Sequence, residues 1–306
     1  RTIGPACSRA PANPAGHPRA RKDDIAVLAI PFPNFDPVAF SLGPVTVKWY
    51  GLAYMAGLLL GWLYIRRLVS TPALWPNAKP PFSRERVDDL LIFMTVGVIL
   101  GGRLGYVFLY EPSYFVNRPW EIFYIWQGGM AFHGALLGCG VAIWAFARRN
   151  GVNAWSTMDV CAAAVPIGLF FGRMANFING ELFGRPTEVP WGMVFPAASL
   201  EFPSIEPTPR HPSQLYEGFL EGLVLFLVLR FLTHHRAALH APGQTTGVFL
   251  VGYGLARSFC ELFRQYDPTH FLSAYGFTPG IVYSLVMVLI GIAFLRAAAG
   301  RGAMPA

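Results

Sequence analysis

Charged residues are scarce in this sequence. Asp, Glu, Lys and Arg make up 13% of its 306 residues, whereas hydrophobic residues make up 54%. Because soluble domains carry roughly 25% charged residues, this composition excludes an ordinary soluble protein. Apolar runs of about 20 residues, long enough to cross the hydrocarbon core of a bilayer, recur along the chain. We therefore predict an all-α polytopic membrane protein.

Cysteine is also scarce, and the spacing of the four cysteines matches no disulfide framework or zinc motif. Three of them lie in apolar runs, where a free cysteine behaves as a small buried hydrophobic residue. We expect no metal site and no cofactor. The four residues are Cys7, Cys139, Cys161 and Cys260.

Two further absences narrow the function. The sequence shows no internal repeat, which disfavours a secondary transporter built from repeated halves. It also has no dense basic patch to account for the net charge of +7, because Lys and Arg are scattered between apolar runs. Contact with the anionic headgroups of a lipid bilayer explains this charge better than binding to nucleic acid does.

Seven apolar segments are predicted to cross the membrane as helices, within a single transmembrane domain over residues 31–300. Residues 1–30 are rich in Pro, Ala and Arg, and we predict that they form a disordered basic head. Pro and Gly interrupt residues 31–54, so we expect an interfacial segment before the first span. The predicted spans are 48–69, 88–110, 130–148, 158–178, 214–233, 246–263 and 280–297.

Basic residues are distributed unequally between the two ends of these spans. Eleven Lys or Arg residues lie on the side that includes the C-terminus, and five lie on the side where the first span starts. The positive-inside rule therefore places the C-terminus in the cytoplasm and the start of the first span outside. The basic head opposes this assignment. The Pro-rich loop over residues 180–212 is then predicted to form a small ordered periplasmic cap.

The stretch Gly172–Gly184, GRMANFINGELFG, continues an apolar run and yet contains several polar residues. One Arg at the middle of a bilayer costs roughly 2.5–3.5 kcal/mol, and such residues usually face a bundle interior or a watery cavity. An Arg that reaches up to the headgroups is the simpler interpretation, but it does not explain the polar companions. The polar residues are Arg173, Asn176, Asn179 and Glu181.

The sixth predicted span carries a second polar set. Its four members, spaced i, i+4, i+8 and i+11, fall on one helical face about 80° wide. Glu261 can pair with the arginine on either side of it, which lowers their burial cost and fixes their direction. The set can therefore serve as an ion-pair staple between helices or line a polar chamber that binds an anion. It comprises Tyr253, Arg257, Glu261 and Arg264.

Three other positions have both a structural and a functional interpretation. His133 opens the third span, where the helix dipole disfavours the cationic imidazole and so favours a general base; a lone histidine in such a place is nevertheless more often structural. Tyr50, one turn before Tyr54, belongs either to an aromatic belt or to a chamber lining. RHPSQLYEG, at the start of the fifth span, can cap that helix or contact a ligand.

Arg103 joins Arg173 and Arg257 as a third arginine inside an apolar run. Unpaired at mid-bilayer, the three would together cost roughly 7.5–10.5 kcal/mol, as much as the whole stability of many domains. We expect them to be paired, hydrated or bound to anions. Because a guanidinium fork matches phosphate geometry, a phospholipid headgroup is the predicted ligand.

Several of these stretches resemble the motifs of bacterial prolipoprotein diacylglyceryl transferases, over residues 35–296. Met174-Ala175 departs from the family pattern, as does the basic head. The matching stretches are HGALLG, GRMANFINGELFGR, HPSQLYE and YGLARSFCELFRQ.

The resemblance implies an inner-membrane enzyme with seven spans, a periplasmic N-terminus and a cytoplasmic C-terminus. It implies transfer of the diacylglyceryl group of phosphatidylglycerol to the lipobox cysteine of a prolipoprotein, the first step of lipoprotein maturation. A transporter or flippase for an anionic lipid or solute is the alternative, because it could use the same arginines.

The resemblance also assigns roles to residues. Arg173 and Arg257 are expected to hold the phosphate, and His133 is expected to accept the thiol proton or to maintain a hydrogen-bond network that does so; these are the candidate catalytic residues. The candidate substrate-binding residues are Tyr50, Arg173, Asn176, Glu181, Gly184, Tyr253, Arg257, Glu261 and Arg264.

Overall fold

The computed structural model describes residues 30–33, 35–201, 208–265 and 278–302. Within these ranges the chain is mostly helical, and seven long helical segments lie where the seven spans are predicted. The observed start differs most from the predicted start in the fourth helix, which begins at Ala154 and not at residue 158. The segments are α1 (Trp49–Val69), α2 (Arg86–Leu109), α3 (Phe132–Asn150), α4 (Ala154–Ile178), α5 (Ser213–Glu217, the π-helical Gly218–Val224 and Leu225–His235), α6 (Gln244–Glu261) and α7 (Pro279–Gly302).

By length and apolar composition, four of these helices could cross a membrane, namely α1, α2, α4 and α7. They present large apolar side chains outward, as lipid-facing helices do. On α1, for example, Leu58 is 63% exposed and Leu59 is 55% exposed. The described part of the chain is therefore a mostly helical membrane protein with four candidate membrane-spanning helices.

Short elements, which the sequence analysis did not predict as strands, surround the start of α1. The first strand, β1 (Ile30–Pro31), pairs in parallel with β4 (Met193–Val194). The hairpin of β2 (Val38–Leu42) and β3 (Val45–Lys48) leads directly into α1. The predicted head lies outside the described residues except for Ile30. Short α-helices lie at Pro112–Asn117 and Pro196–Glu201, and 3₁₀ turns lie at Pro72–Leu74, Pro76–Ala78, Pro119–Phe123, Ile125–Gln127 and Ala238–His240.

Glycines bring α2 and α3 into backbone contact. Gly97, Gly101 and Gly105 follow one another at four-residue intervals along α2, and they face Gly134 and Gly138 of α3. A methyl group added at Gly138 would overlap the Gly97 carbonyl oxygen. Small residues at this spacing let helices in a membrane approach closely and gain van der Waals contact.

Two polar side chains fix where α4 and α6 begin. Asn153 caps α4, because its Oδ1 accepts hydrogen bonds from the backbone N–H groups of Trp155 and Ser156. The buried Asp159, on α4, accepts the N–H groups of Gly243 and Thr246 at 2.6 and 2.8 Å, in the first turn of α6. A side chain from α4 therefore satisfies amides that the start of α6 leaves free.

The main hydrophobic core lies at one end of the bundle, where α1 and α3 end and α2 and α4 begin. Leu68, Phe146 and Val160 are fully buried there, and Trp75 packs among them while its Nε1–H donates to the Leu68 carbonyl. Packed side chains therefore close this end of the bundle. The polar residues Arg173 and Arg257 lie towards the opposite end, near the C-termini of α4 and α6.

A smaller aromatic cluster lies under the loop that follows α4. Phe183 and Phe195 stack on each other within this loop, with ring centroids 5.6 Å apart. Phe32, next to β1, packs against Phe195 and against Phe177 at the end of α4. The described residues of the predicted cap are therefore packed against the helices and against the chain that precedes α1.

The α2–α3 contact yields a prediction with a built-in control. We expect Gly138→Ala to lower the free energy of unfolding by about 1–3 kcal/mol, because the methyl group forces two backbones apart. Gly140→Ala, on the same helix with open space around it, is expected to be neutral or stabilising because alanine favours the helix. Thermal unfolding of both variants in detergent micelles measures the difference; equal midpoints would contradict the close contact.

Candidate functional site

Three arginines and three glutamates form one charged cluster where the end of α4, the start of α5 and the end of α6 meet. Each arginine side chain is only 15–18% exposed, and the glutamates are more deeply buried. We name this group the arginine–glutamate cluster. Its members are Arg173, Arg257, Arg264, Glu217, Glu221 and Glu261.

Glu217 is the centre of the cluster, since its carboxylate contacts all three arginines. Its Oε1 lies 2.6 Å from Arg264 Nη1 and 3.5 Å from Arg257 Nη1. Its Oε2 lies 2.6 Å from Arg173 Nε. One carboxylate thereby links α4 and α6 through α5, and it sets the separation of the three guanidinium groups.

The predicted pairing of Glu261 with the arginines on either side of it is confirmed. Glu261 Oε2 lies 2.8 Å from Arg257 Nη2 and 3.7 Å from Arg264 Nε. Tyr253, the fourth member of this helical face, lies within electrostatic range of Arg173 and Arg257. The face predicted from the spacing in α6 therefore points into the cluster.

Two glycines in α5 let this helix pack closely enough against α4 for the arginine–glutamate cluster to form. A methyl group at Gly222 would overlap Phe170 of α4, and one at Gly218 would overlap the end of Met174. The same stretch of α5 is π-helical, a form that is frequent at functional sites. Because α5 lies so close to α4, both Glu217 and Glu221 reach the Arg173 side chain.

The amides of the GRMANFING stretch hold the next carboxylate. Glu181 Oε1 accepts hydrogen bonds from Asn176 Nδ2 at 2.8 Å and from Asn179 Nδ2 at 3.4 Å. In turn, Gln214 Nε2 donates to the Glu181 carbonyl at 2.6 Å. The capping prediction for the HPSQLYE motif is wrong, because Ser213 and Gln214 donate to loop carbonyls and make no helix cap.

Gly184 lies where the loop after α4 touches the end of α6. It forms an antiparallel bridge with Arg264, and its N–H donates to the His211 carbonyl at 2.8 Å. A methyl group here would overlap the Phe263 carbonyl oxygen and would crowd His211. Only glycine fits this close backbone approach, which explains the position in physical terms.

Neighbouring arginines extend this contact. Arg185 Nε donates to the Arg264 carbonyl at 2.8 Å, beyond the end of α6. The buried Arg210 donates to the Gly184 carbonyl at 3.2 Å and to Gln265 at 3.1 Å. These two side chains hold the loop against α6, and the sequence analysis counted them only as loop charges.

The imidazole of His211 lies near the cluster. Its Nδ1 lies 3.2 Å from the Tyr216 hydroxyl, and its ring packs against Phe263. Burial lowers the pKa of His211, so that the ring is neutral at pH 7.

His133 opens α3 as predicted but lies outside the cluster. It is exposed, and its ring packs against Tyr283 of α7 with centroids 5.3 Å apart. One turn earlier on α7, Gly280 lies so close to Glu261 that a methyl group would overlap the carboxylate. The first turn of α7 therefore lies between His133 and the cluster.

Tyr50 lies in the first turn of α1, next to Tyr54. Its hydroxyl lies 3.1 Å from that of Tyr54, and its phenol is within electrostatic range of Glu181. This places the first turn of α1 beside the carboxylate that Asn176 and Asn179 hold.

Arg103, the third arginine singled out from hydropathy, has a different environment. It is 6% exposed and donates to the carbonyls of Glu121, Ile122 and Gly128 at 2.6–2.8 Å. Backbone carbonyls therefore compensate its burial, and no carboxylate side chain appears among its hydrogen bonds in the described residues. Two of the three arginines share a site, and Arg103 organises the loop before α3.

Sequence reasoning missed Glu217 and Glu221. Glu217 ends the HPSQLYE motif, and Glu221 follows one helical turn later. A charge count could have found them, because three buried arginines need more carboxylate than Glu261 supplies. The ion pairs between helices confirm the predicted staple, and the anion-binding role of the same residues stays a prediction.

Comparison with known proteins identifies close relatives. A family model described as "Prolipoprotein diacylglyceryl transferase" matches residues 37–297. The chain is 51% identical, over 89% of its length and 95% of the relative, to the phosphatidylglycerol–prolipoprotein diacylglyceryl transferase of Rhizobium leguminosarum bv. trifolii (strain WSM2304). It is 51% identical to the same enzyme of Paramagnetospirillum magneticum (strain ATCC 700264 / AMB-1), over 91% of the chain and 99% of the relative.

The central place of Glu217 yields a prediction. Glu217→Gln removes a charge that three guanidinium groups share, and loss of one partner of a buried ion pair costs about 3–5 kcal/mol. We expect the midpoint of thermal unfolding to fall sharply. Glu188→Gln, in the exposed part of the loop after α4, is the control and is expected to stay within about 0.5 kcal/mol of the parent. Similar stability of both variants would contradict this role.

Proposed function

The chain belongs to the prolipoprotein diacylglyceryl transferase family, and we infer that it transfers the diacylglyceryl group of phosphatidylglycerol to prolipoproteins. It is a membrane transferase of lipoprotein biosynthesis. The match of nearly the whole chain to enzymes of this name carries the conclusion. The arginine–glutamate cluster supplies the physical support, because it concentrates phosphate-binding groups at one end of the bundle.

All seven long helices cross the membrane in this proposal, including α3, α5 and α6. The ends rich in Lys and Arg face the cytoplasm, so the C-terminus is cytoplasmic and the start of α1 is periplasmic. The cluster and the loop over residues 180–212 then lie on the periplasmic side of a bacterial inner membrane. Residues 31–300 form one catalytic domain, and residues 1–30 form a disordered head.

Arg173 and Arg257 bind the phosphate of phosphatidylglycerol. Both are held in fixed directions by Glu217, and a preorganised guanidinium stabilises charge on a departing phosphate without reorganising. Arg264 and Glu261 extend the same charged surface. Tyr50, Asn176, Glu181, Gly184 and Tyr253 line the remaining sides of the substrate site.

The transfer step joins the thiol of the lipobox cysteine to the lipid. The thiol loses its proton to His133, and the thiolate attacks the glyceryl carbon that bears the phosphate. A sulfur–carbon bond forms, the carbon–oxygen bond breaks, and glycerol phosphate leaves with the bonding electrons. The step is a substitution with no change of oxidation state, and it involves no covalent enzyme intermediate.

The position of His133 fits a base that is separate from the phosphate-binding arginines. It lies across the first turn of α7 from Glu261, and therefore beside the cluster rather than within it. The thiolate can thereby approach the reacting carbon from the side opposite the departing phosphate, as an in-line displacement requires. Exposure of the ring leaves it accessible to a thiol that arrives along the bundle surface.

The fork of Arg257 is tested by Arg257→Lys, which keeps the charge but not the planar pair of donors. We expect kcat/KM to fall by about 10²–10³, as for loss of one preorganised donor. The assay mixes purified protein, phosphatidylglycerol and a lipobox peptide, and mass spectrometry detects the added diacylglyceryl group on the peptide cysteine. Arg118→Lys, on an exposed loop, is the control. No product with the parent chain would refute the function, and normal turnover of Arg257→Lys would refute the role of the fork.

The base is tested by His133→Gln. We expect turnover at pH 7 to fall by about 10²–10⁴. The residual rate should rise with pH as the free thiol, whose pKa is ~8.5, ionises without a catalytic base. The rate–pH profile of His133→Gln is compared with that of His240→Gln, an exposed histidine at the other end of the bundle. A full rate at neutral pH would remove His133 as the base.

A further inference from the structure

The charges of the arginine–glutamate cluster sum to zero. Three guanidinium groups carry three positive charges, and Glu217, Glu221 and Glu261 carry three negative charges when all are ionised. A phosphodiester headgroup brings one more negative charge. Binding would therefore leave an excess negative charge among groups that are mostly withdrawn from water, which is unfavourable where the local dielectric constant is low.

Of the three carboxylates, Glu221 has the weakest ionic support. Glu217 contacts three arginines and Glu261 contacts two, whereas Glu221 has one ion pair, at 3.4 Å from Arg173. It is also the most deeply buried, with no exposed surface. Its Oε1 has neither a hydrogen-bond nor an ion-pair partner among the described residues, whereas Oε2 of Glu217 and Oε2 of Glu261, which also lack hydrogen bonds, lie in ion pairs. A carboxyl group in this situation accepts a proton more readily than its neighbours do.

We propose that Glu221 takes up one proton when the anionic phosphodiester headgroup of phosphatidylglycerol binds to the cluster. The proposal rests on the phosphate-binding role of Arg173 and Arg257 given above. Before binding, the cluster is neutral with Glu221 ionised. Afterwards the added proton and the added phosphodiester charge cancel, so the complex is again neutral.

Among the residues that the structure describes around Glu221, no other acid is as poorly paired. Glu217, on the same helix, contacts three arginines, so its ionised form is the better stabilised one. The cationic side chains near Glu221 are Arg173 from α4 and Arg257 from α6. The charged and titratable groups within electrostatic range of Glu221 are Arg173 from α4, Glu217 from α5, and Tyr253, Arg257 and Cys260 from α6.

The same charge balance discriminates between lipid and product. The phosphodiester of the lipid carries one negative charge and needs one proton for neutrality. Cleavage turns it into a phosphomonoester, which carries close to two negative charges at pH 7. Because one proton on Glu221 no longer compensates, the glycerol phosphate is bound more weakly than the lipid and leaves.

The number of protons taken up tests the proposal directly. The full chain in maltoside micelles is titrated with dioctanoyl-phosphatidylglycerol by calorimetry, in buffers of different ionisation enthalpy, between pH 6 and 9. We expect the parent chain to take up close to one proton per lipid towards the alkaline end. Its Kd should then rise about tenfold for each pH unit.

Glu221→Gln is expected to abolish both effects, because the neutral amide replaces the protonated acid permanently. Its Kd should be independent of pH, and tighter than that of the parent by about tenfold per pH unit in the alkaline range. Glu85→Gln, on an exposed loop before α2, is the matched control and should behave as the parent chain does. If Glu221→Gln does not fold, the number of protons that the parent chain takes up still tests the proposal.

The outcomes separate this inference from the proposed function. Lipid binding by the parent chain without proton uptake at any pH overturns the role of Glu221, as does equal uptake by the parent and Glu221→Gln. Absence of lipid binding by the parent chain, or binding that Arg257→Lys leaves unchanged, overturns instead the phosphate-binding role of the arginines.

Discussion

Neutralisation of buried guanidinium groups by carboxylates is the interaction on which this structure depends. Glu217 contacts arginines from α4 and α6, and Glu261 joins two arginines of its own segment. Without these carboxylates the arginines would be isolated charges in an apolar bundle, which costs several kcal/mol each. The ion pairs therefore hold three helices together at this point, and the same point gathers the groups proposed to bind phosphate.

Backbone geometry makes this meeting possible. Gly218 and Gly222 let α5 approach α4, and Gly280 lets α7 approach Glu261. Elsewhere the α2–α3 pair is held by facing glycines that make no contact with the charged groups. Small residues thus serve two purposes in one bundle, since they hold one helix pair together and admit long charged side chains between others.

Much of this architecture is visible in the sequence, because hydrophobic period and length determine where helices lie in an apolar chain. All seven helical segments overlap their predicted ranges, although several begin or end a few residues away, and the spacing of Tyr253, Arg257 and Glu261 predicts their shared face. Glu217 and Glu221 were missed because their partners lie on other helices, and local spacing contains no information about that. Arg103 was expected to be paired, hydrated or bound to an anion, and the sequence could not show which, because its hydrogen bonds go to carbonyls of a loop whose path depends on tertiary contacts.

The backbone bridge at Gly184 has a consequence for how substrates arrive. Hydrogen bonds on both sides of this residue join the loop after α4 to His211, just before α5, and to Phe263, just after α6. Lifting residues 184 and 185 away would break these bonds and the hydrogen bonds of Arg185 together, so this part of the loop is held firmly against the end of α6. In the function proposed above, the lipid and the membrane-anchored acceptor would therefore reach the cluster sideways between helices, within one leaflet, and not by displacing this segment.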